Sequence, residues 1–498
     1  MSLTKLKRRV SELADLGAAI HLLHWDLETY LPPGAVADRA SQLALLGRME
    51  HELFVSEEVG EWLEAAAGEV RGLPPDADDV RAVEVTRRDW LRARRVPAAW
   101  VEEFARLGSL AQHAWREARA GAGFGHFRAH LERLVAARRE YAGFFAPYES
   151  VYDPLLEDFE PGMTARRVGA LFDELRPALV TLVAEIRERG RPIDAGCLAG
   201  DFDEAAQEAF GLAVLRRMGF DFERGRQDRS AHPFTSPVAR GDVRITTRFD
   251  RRLVASALFS TMHEGGHALY EQGIAEEYAR GALGRAASLG LHESQSRLWE
   301  NVVGRSRGFW SHFYPQLQAH FPGLAAVPLE TFYRAINRVE PSFIRVDADE
   351  VTYNLHVMLR VDLELALLGG ELAVAELPAA WNDRMREYLG IVPPDDARGV
   401  LQDIHWSGGS FGYFPTYCLG NLAAVQIWDA AVRDDPGLPA AIARGELGRL
   451  REWLGAKVHR HGRKYEPDDL LRRATGRPVE AGPYVAYLRS KYGELYGL

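Results

Sequence analysis

The sequence predicts a mostly α-helical protein with one small β element, on three observations. Apolar residues recur at three- and four-residue steps along most of its 498 residues, and one stretch alternates with the two-residue period of a strand. No repeat of fixed period and no low-complexity run interrupts these patterns. The helical case is plain in Leu171, Leu175, Leu179, Leu182 and Ile186, with Glu174, Arg176 and Glu185 between them; Pro177 is expected to kink this helix. Further helices are expected over 4–23, 80–94, 98–119, 126–145, 203–218, 251–272, 291–306, 350–369, 379–389, 419–433 and 447–460, separated by turns such as Leu73-Pro74-Pro75-Asp76. The strand is Asp242 to Phe249, where Val243, Ile245, Thr247 and Phe249 alternate with Arg244, Thr246 and Arg248. The chain reads as one domain, 1–498, softly divided into 1–199 and 200–498 across the loop from Arg189 to Gly200.

Composition bounds the function. A hydrophobic content of 47% supports a sizeable core and excludes global disorder. With 61 Lys plus Arg against 71 Asp plus Glu, the net charge is −10, which argues against nucleic acid or an anionic membrane as partner. Cys197 and Cys418 stand 221 positions apart, so there is neither a disulfide framework nor a thiolate zinc cluster, and a reducing cytoplasm is expected. The N-terminal residues lack the apolar run of a signal peptide, and no stretch approaches the roughly 18 apolar residues of a membrane span.

The chemical centre is His263-Glu264-Gly265-Gly266-His267. On a helix, positions i and i+4 share one face, so His263 and His267 can grip one Zn²⁺ while Glu264 points at a metal-bound water. Asp250 is expected to cap this helix and Gly273 to stop it. Gly265 and Gly266 each cost about 1 kcal/mol relative to Ala inside a helix, so substrate or another backbone should approach closely there. A catalytic zinc needs a third protein ligand. Glu293, early in the next helical stretch, completes a two-His, one-carboxylate set, with His292 and Glu300 as competitors; such a set also accepts Co²⁺ or Mn²⁺.

Six blocks around this centre carry a resemblance: His232-Pro233-Phe234, Asp242 to Thr246, HExxH with Ala268-Leu269-Tyr270, His292-Glu293-Ser294-Gln295, Ile344 to Asp349, and Gly399 to Trp406. With the early Leu23-His24-Trp25-Asp26, the chain resembles the carboxypeptidase Taq family of zinc metallocarboxypeptidases over essentially its whole length. The resemblance implies a large helical metallopeptidase fold with a deep active-site cleft and a small sheet beside the zinc helix. It also implies removal of C-terminal amino acids from peptides with broad specificity, and commonly a homodimer.

The chemistry of that reaction names further residues. Glu264 would take the proton of the activated water and pass it to the leaving amine. The strand Asp242 to Phe249 could hold an extended peptide by main-chain hydrogen bonds. A free terminal carboxylate calls for a guanidinium; the resemblance directs this role to Arg345, with Arg244 in reserve. His405, and Tyr413 or Tyr417, are the expected donors to the developing oxyanion. Two readings compete: a zinc oligoendopeptidase, with a cleft open at both ends and no carboxylate clamp, and a helical binding protein with a vestigial metal site. The retained Glu264 argues against the second, since a structural site needs no base.

Overall fold

A computed structural model describes residues 2–498, which are mostly helical around one three-stranded sheet. The periodic segment containing Pro177 is helix Ala165–Arg189, which runs unbroken through the proline. Its start is capped by the Thr164 hydroxyl, which accepts from the Arg167 N–H, and its buried stripe includes Phe172, Leu175, Leu179, Leu182 and Ile186. Each such large apolar side chain, fully buried, contributes roughly 1.5–3 kcal/mol. Helices outside the expected segments include Val36–Val55, Glu57–Glu69, Arg307–His320, Leu329–Ile336, Pro467–Thr475 and Gly482–Tyr496. For two of them the signal was masked for a physical reason. Val36–Val55 buries no residue and so shows no apolar stripe, while Arg307–His320 contains Pro315 and buries a run of aromatics.

Two large apolar cores meet along helix Pro415–Asp434. One draws Leu131, Leu175, Leu355, Leu389 and Tyr484 together with Cys418 and Leu422 of that helix. The other gathers Leu215, Met262, Leu269, Trp310 and Leu454 around its Ala424 and Ile427. Because both faces of Pro415–Asp434 are buried, it reads as nearly continuous apolar sequence and positions whatever packs against it. Among the described residues, no helix is long and apolar enough to cross a membrane.

The sheet consists of β1 (Gly225–Arg229), β2 (Thr235–Ala239) and β3 (Asp242–Thr247), in the order β1-β3-β2. β3 pairs parallel with β1 and antiparallel with β2, to which Arg240 and Gly241 connect it. The expected strand is thus present but ends at Thr247. Thr246, expected outward, is fully buried because its hydroxyl accepts from Ser230 and from the Phe234 N–H. β3 is central and paired on both edges, so it cannot accept a peptide as an added strand; β1 and β2 are the edge strands.

Candidate active site

Helix Ser256–Gly273 presents the HExxH residues, with β3 packed against it. It starts six residues after Asp250, whose carboxylate accepts from the Arg252 backbone and guanidinium, so Asp250 does not cap it. The stop at Gly273 is as expected: a Cβ there would lie 2.6 Å from Cβ of His459. The paired glycines are explained by close packing. A Cβ on Gly266 would meet the Gln295 carbonyl oxygen at 2.6 Å and Ser296 Cα at 2.7 Å, and one on Gly265 would meet Leu215 at 2.5 Å. Gly266 therefore lets helix Leu289–Arg297 lie against the HExxH helix. From the other side, Gly420 of Pro415–Asp434 leaves room for Glu293, whose Cγ would be 2.6 Å from a Cβ there.

These approaches bring three side chains to one point. Ligand atoms of His263, His267 and Glu293 lie within 4.8 Å of one another, with Glu293 Oε2 3.7 Å from His263 Nε2 and 3.4 Å from His267 Nε2. The competitors expected for the third position sit behind the histidines. Glu300 Oε2 is 2.9 Å from His263 Nδ1, and His292 Nδ1 is 2.5 Å from His267 Nδ1. A carboxylate can only accept, so His263 carries its proton on Nδ1. His292 likewise carries its proton on Nε2, 2.8 Å from Glu271, which makes its Nδ1 the acceptor for His267. In that tautomer both neutral rings direct Nε2, the nitrogen left for a ligand, toward Glu293. That donor set fits a divalent cation, and the partners behind it are the kind that orient metal-binding histidines.

The charges are arranged around the same point. Arg297 donates to Glu293 Oε1 at 2.7 Å and reaches Glu300 at 3.3 Å. Burial works against ionised Glu293, but Arg297 and His263 outweigh it and hold the carboxyl well below its usual range. Glu300 is held at about 2, its burial likewise outweighed by Arg297 and His263. Burial, then the neighbouring His292, brings His267 down to about 3, whereas for His263 burial is overcome by Glu293 and Glu300 and the pKa rises. Arg297 and Glu300 belong to a helix that changes character here: after Arg297 the backbone makes a π-helical turn, Leu298–Val303, a feature frequent at functional sites.

Glu264 lines the same cleft, a cavity of 1180 Å³ that also exposes His263, His267 and Glu293. Its Oε2 accepts the Thr235 hydroxyl at 2.6 Å, so β2 aims this carboxylate. Burial raises its pKa above the ordinary value. Tyr413 and Tyr417 line the cleft as well. Burial, then Glu293, pushes Tyr413 up to about 12, so its phenol stays a donor. His405 is set behind this pair, with Nε2 3.2 Å from the Tyr417 hydroxyl; burial brings its pKa down to about 4.

The two arginines expected at the substrate are not brought to the cleft wall. Arg345 is 4% exposed, and its fork grips Asp403 at 2.8 and 3.1 Å while its third nitrogen donates to the Tyr353 hydroxyl at 2.8 Å. Its planar donors are thereby already matched to a carboxylate inside the protein. Arg244 makes the same two-pronged contact with Asp242, both bonds 2.8 Å, and lies over the Trp25 ring. Sequence reasoning missed the residues that hold the site: Thr235, Arg297, Glu271 and Gly420. Only Arg297 had a signal, its i+4 spacing from Glu293.

Comparison with known proteins agrees with this geometry. The pattern of the carboxypeptidase Taq (M32) metallopeptidases matches residues 5–492. Thermostable carboxypeptidase 1 of Thermus thermophilus is 43% identical over 505 residues, spanning 100% of this chain and 98% of the relative. Carboxypeptidase 1 of Bacillus subtilis is 38% identical, spanning 99% and 97%. The crystal structure of the M32 carboxypeptidase from Deinococcus radiodurans R1 superposes with a TM-score of 0.96 at 43% identity, covering 100% of both chains. The family implies a divalent metal, which the His263, His267 and Glu293 set suits. The chain belongs to the carboxypeptidase Taq (M32) family and is a metallocarboxypeptidase, a peptide hydrolase.

Proposed function

We propose that this enzyme removes amino acids one at a time from the free C-termini of peptides with broad specificity, holding one Zn²⁺ through His263 Nε2, His267 Nε2 and Glu293. The observation that carries the reading is the convergence of two histidine Nε2 atoms and the Glu293 carboxylate beside a buried glutamate aimed into a cleft. When bound, zinc supplies Lewis-acid polarisation of a carbonyl and lowers the pKa of a water; Co²⁺ or Mn²⁺ would suit the same ligands. Glu264, held by Thr235 and raised by burial, takes the proton of the attacking water and later delivers it to the leaving amine. Tyr413 and Tyr417 are placed to donate to the developing oxyanion, with His405 acting on it through Tyr417. The edge strand β2 lines the cleft and offers main-chain groups to an extended substrate.

The terminal carboxylate is better met by Arg285 than by Arg345 or Arg244. Arg285 lines the cleft, is exposed, and makes no ion pair or hydrogen bond among the described residues, so its fork is free for substrate. We place the enzyme in the cytoplasm, since Cys197 and Cys418 are both free thiols, and we read it as a single-domain homodimer on its family resemblance. A timed digestion of a defined peptide, read by mass spectrometry, tests the function: sequential loss from the C-terminus is expected, and internal cuts would make it an endopeptidase instead.

A further inference from the structure

A second cavity, of 500 Å³, opens at the far end of the HExxH helix, beside Gly273. Four guanidinium groups line it, those of Arg224, Arg240, Arg451 and Arg460, against two exposed carboxylates, Glu277 and Glu452. In a chain of net charge −10 this is a local reversal of sign, not a share of a generally basic surface.

The bonding state of these arginines is the informative part. Arg224 is the one with a carboxylate partner, Asp221 at 2.7 Å. Arg240 donates only to the Ile274 carbonyl, at 2.8 Å. Among the described residues the Arg460 guanidinium has no hydrogen bond or ion pair, and the Nε of Arg451 is buried without a hydrogen-bond partner. Packed against Gly219, that nitrogen is closed to a ligand, so Arg451 can offer the cavity only its two terminal nitrogens, neither of which bonds another described residue. The stem of Arg451 is also held in place: it lies against Gly219, where φ is +94° and a side chain would collide with Arg451 Cδ. The remaining ring in the wall adds no charge of its own, because His459 is buried with its Nε2 on Gln295.

We propose that this cavity binds an oxyanion of the phosphate type, free or carried on a small molecule. Guanidinium forks match phosphate oxygens in pairs, and several converging on one concavity select a multiply charged anion over chloride. The volume is larger than one phosphate needs, which leaves room for a small organic group attached to it. The site is separate from the carboxylate-binding role given to Arg285. Arg240 lines both cavities, so it is left out of the test.

The test is isothermal titration of the metal-loaded protein with inorganic phosphate and, separately, with AMP, at matched ionic strength. Saturable one-to-one binding is expected with at least one probe. Tighter binding of AMP would assign the site to a phosphorylated small molecule, and equal or tighter binding of phosphate to the free ion. Arg451→Gln and Arg460→Gln should each weaken that binding roughly tenfold while leaving peptide turnover intact. If Arg451→Gln fails to fold, Arg460→Gln carries the test, since its side chain holds nothing else together. Absence of saturable binding with both probes, or binding that a folded Arg460→Gln protein retains at full strength, would overturn the proposal.

Discussion

Two buried charge clusters meet at the Tyr353 ring, which Arg297 of one approaches at 4.2 Å and Arg345 of the other at 5.7 Å, and they have opposite bonding logic. In the first, His263, His267 and Glu293 are each held from behind, by Glu300, His292 and Arg297, and all direct their remaining capacity at one shared point. In the second, Asp403 is gripped by Arg345 and by Arg360, the latter at 2.7 Å, so both of its oxygens and all three donor nitrogens of Arg345 are matched inside the protein. Asp403 is accordingly held far below the usual carboxylate range, its burial outweighed by Arg345 and Arg360. A charged residue's role follows from the bonds it has left, not from its charge. The first cluster is open to a ligand; the second is a structural knot behind the cleft wall.

The largest effect expected within the open cluster is on turnover. Glu264→Gln removes a base without removing a ligand candidate, so the metal and fold should remain while kcat falls by roughly 10²–10⁴ or more. Steady-state kinetics on a metal-replete, contaminant-free sample checks this, and near-normal hydrolysis would remove Glu264 from the mechanism.

The closed knot should respond in stability instead. Asp403→Ala leaves Arg345 and Arg360 buried without their carboxylate and is expected to cost about 3–5 kcal/mol in denaturant unfolding. The sign of its pH dependence follows from the lowered pKa. The contribution of Asp403 is fully present above the ordinary carboxylate value of about 3.9 and is lost as pH falls toward the folded value. The gap between wild type and variant should therefore be constant from neutral pH down to about 5 and narrow below about 4. A gap that widened with acid would contradict the assignment.

Smaller effects separate holding from binding. Glu300→Gln keeps a partner on His263 Nδ1 but weakens its pull, and metal affinity, measured by competition with a chelator, should fall about 10–100-fold with the fold intact. Unchanged affinity would reduce Glu300 to a packing residue. The last comparison sets arginine against arginine. Arg285→Ala should lose most of the preference for free over amidated C-termini, on the order of tenfold in kcat/KM, whereas a folded Arg345→Ala enzyme should keep it. The reverse pattern would mean that Asp403 releases Arg345 to substrate.

How much of this was legible depended on distance along the chain. His263 and His267 are four residues apart on one helix, so local geometry alone brings them together, and Glu293 needs only one helix-to-helix approach, announced by Gly266. The partner of Arg345 is 58 residues away in a loop, and nothing in the spacing of Ile344 to Asp349 indicates that Asp403 will take both of its prongs. Thr235 reaches Glu264 only because β2 folds back on β3, a pairing that the short, proline-containing segment Thr235–Ala239 does not advertise. Helices with one buried stripe, such as Ala165–Arg189, were read from period, and the expected 419–433 lies within Pro415–Asp434, whereas Val36–Val55, which buries no side chain, carried no contrast to read.

Everything proposed for the cleft depends on His263, His267 and Glu293 holding one metal ion. Anomalous diffraction at the zinc edge from crystals of the metal-loaded enzyme tests it directly. A single peak is expected within about 2.0–2.2 Å of His263 Nε2, His267 Nε2 and a Glu293 oxygen, with Glu300 and His292 outside bonding distance. A peak bonded to His292 or Glu300 in place of Glu293, or no peak between the two histidines, would contradict it.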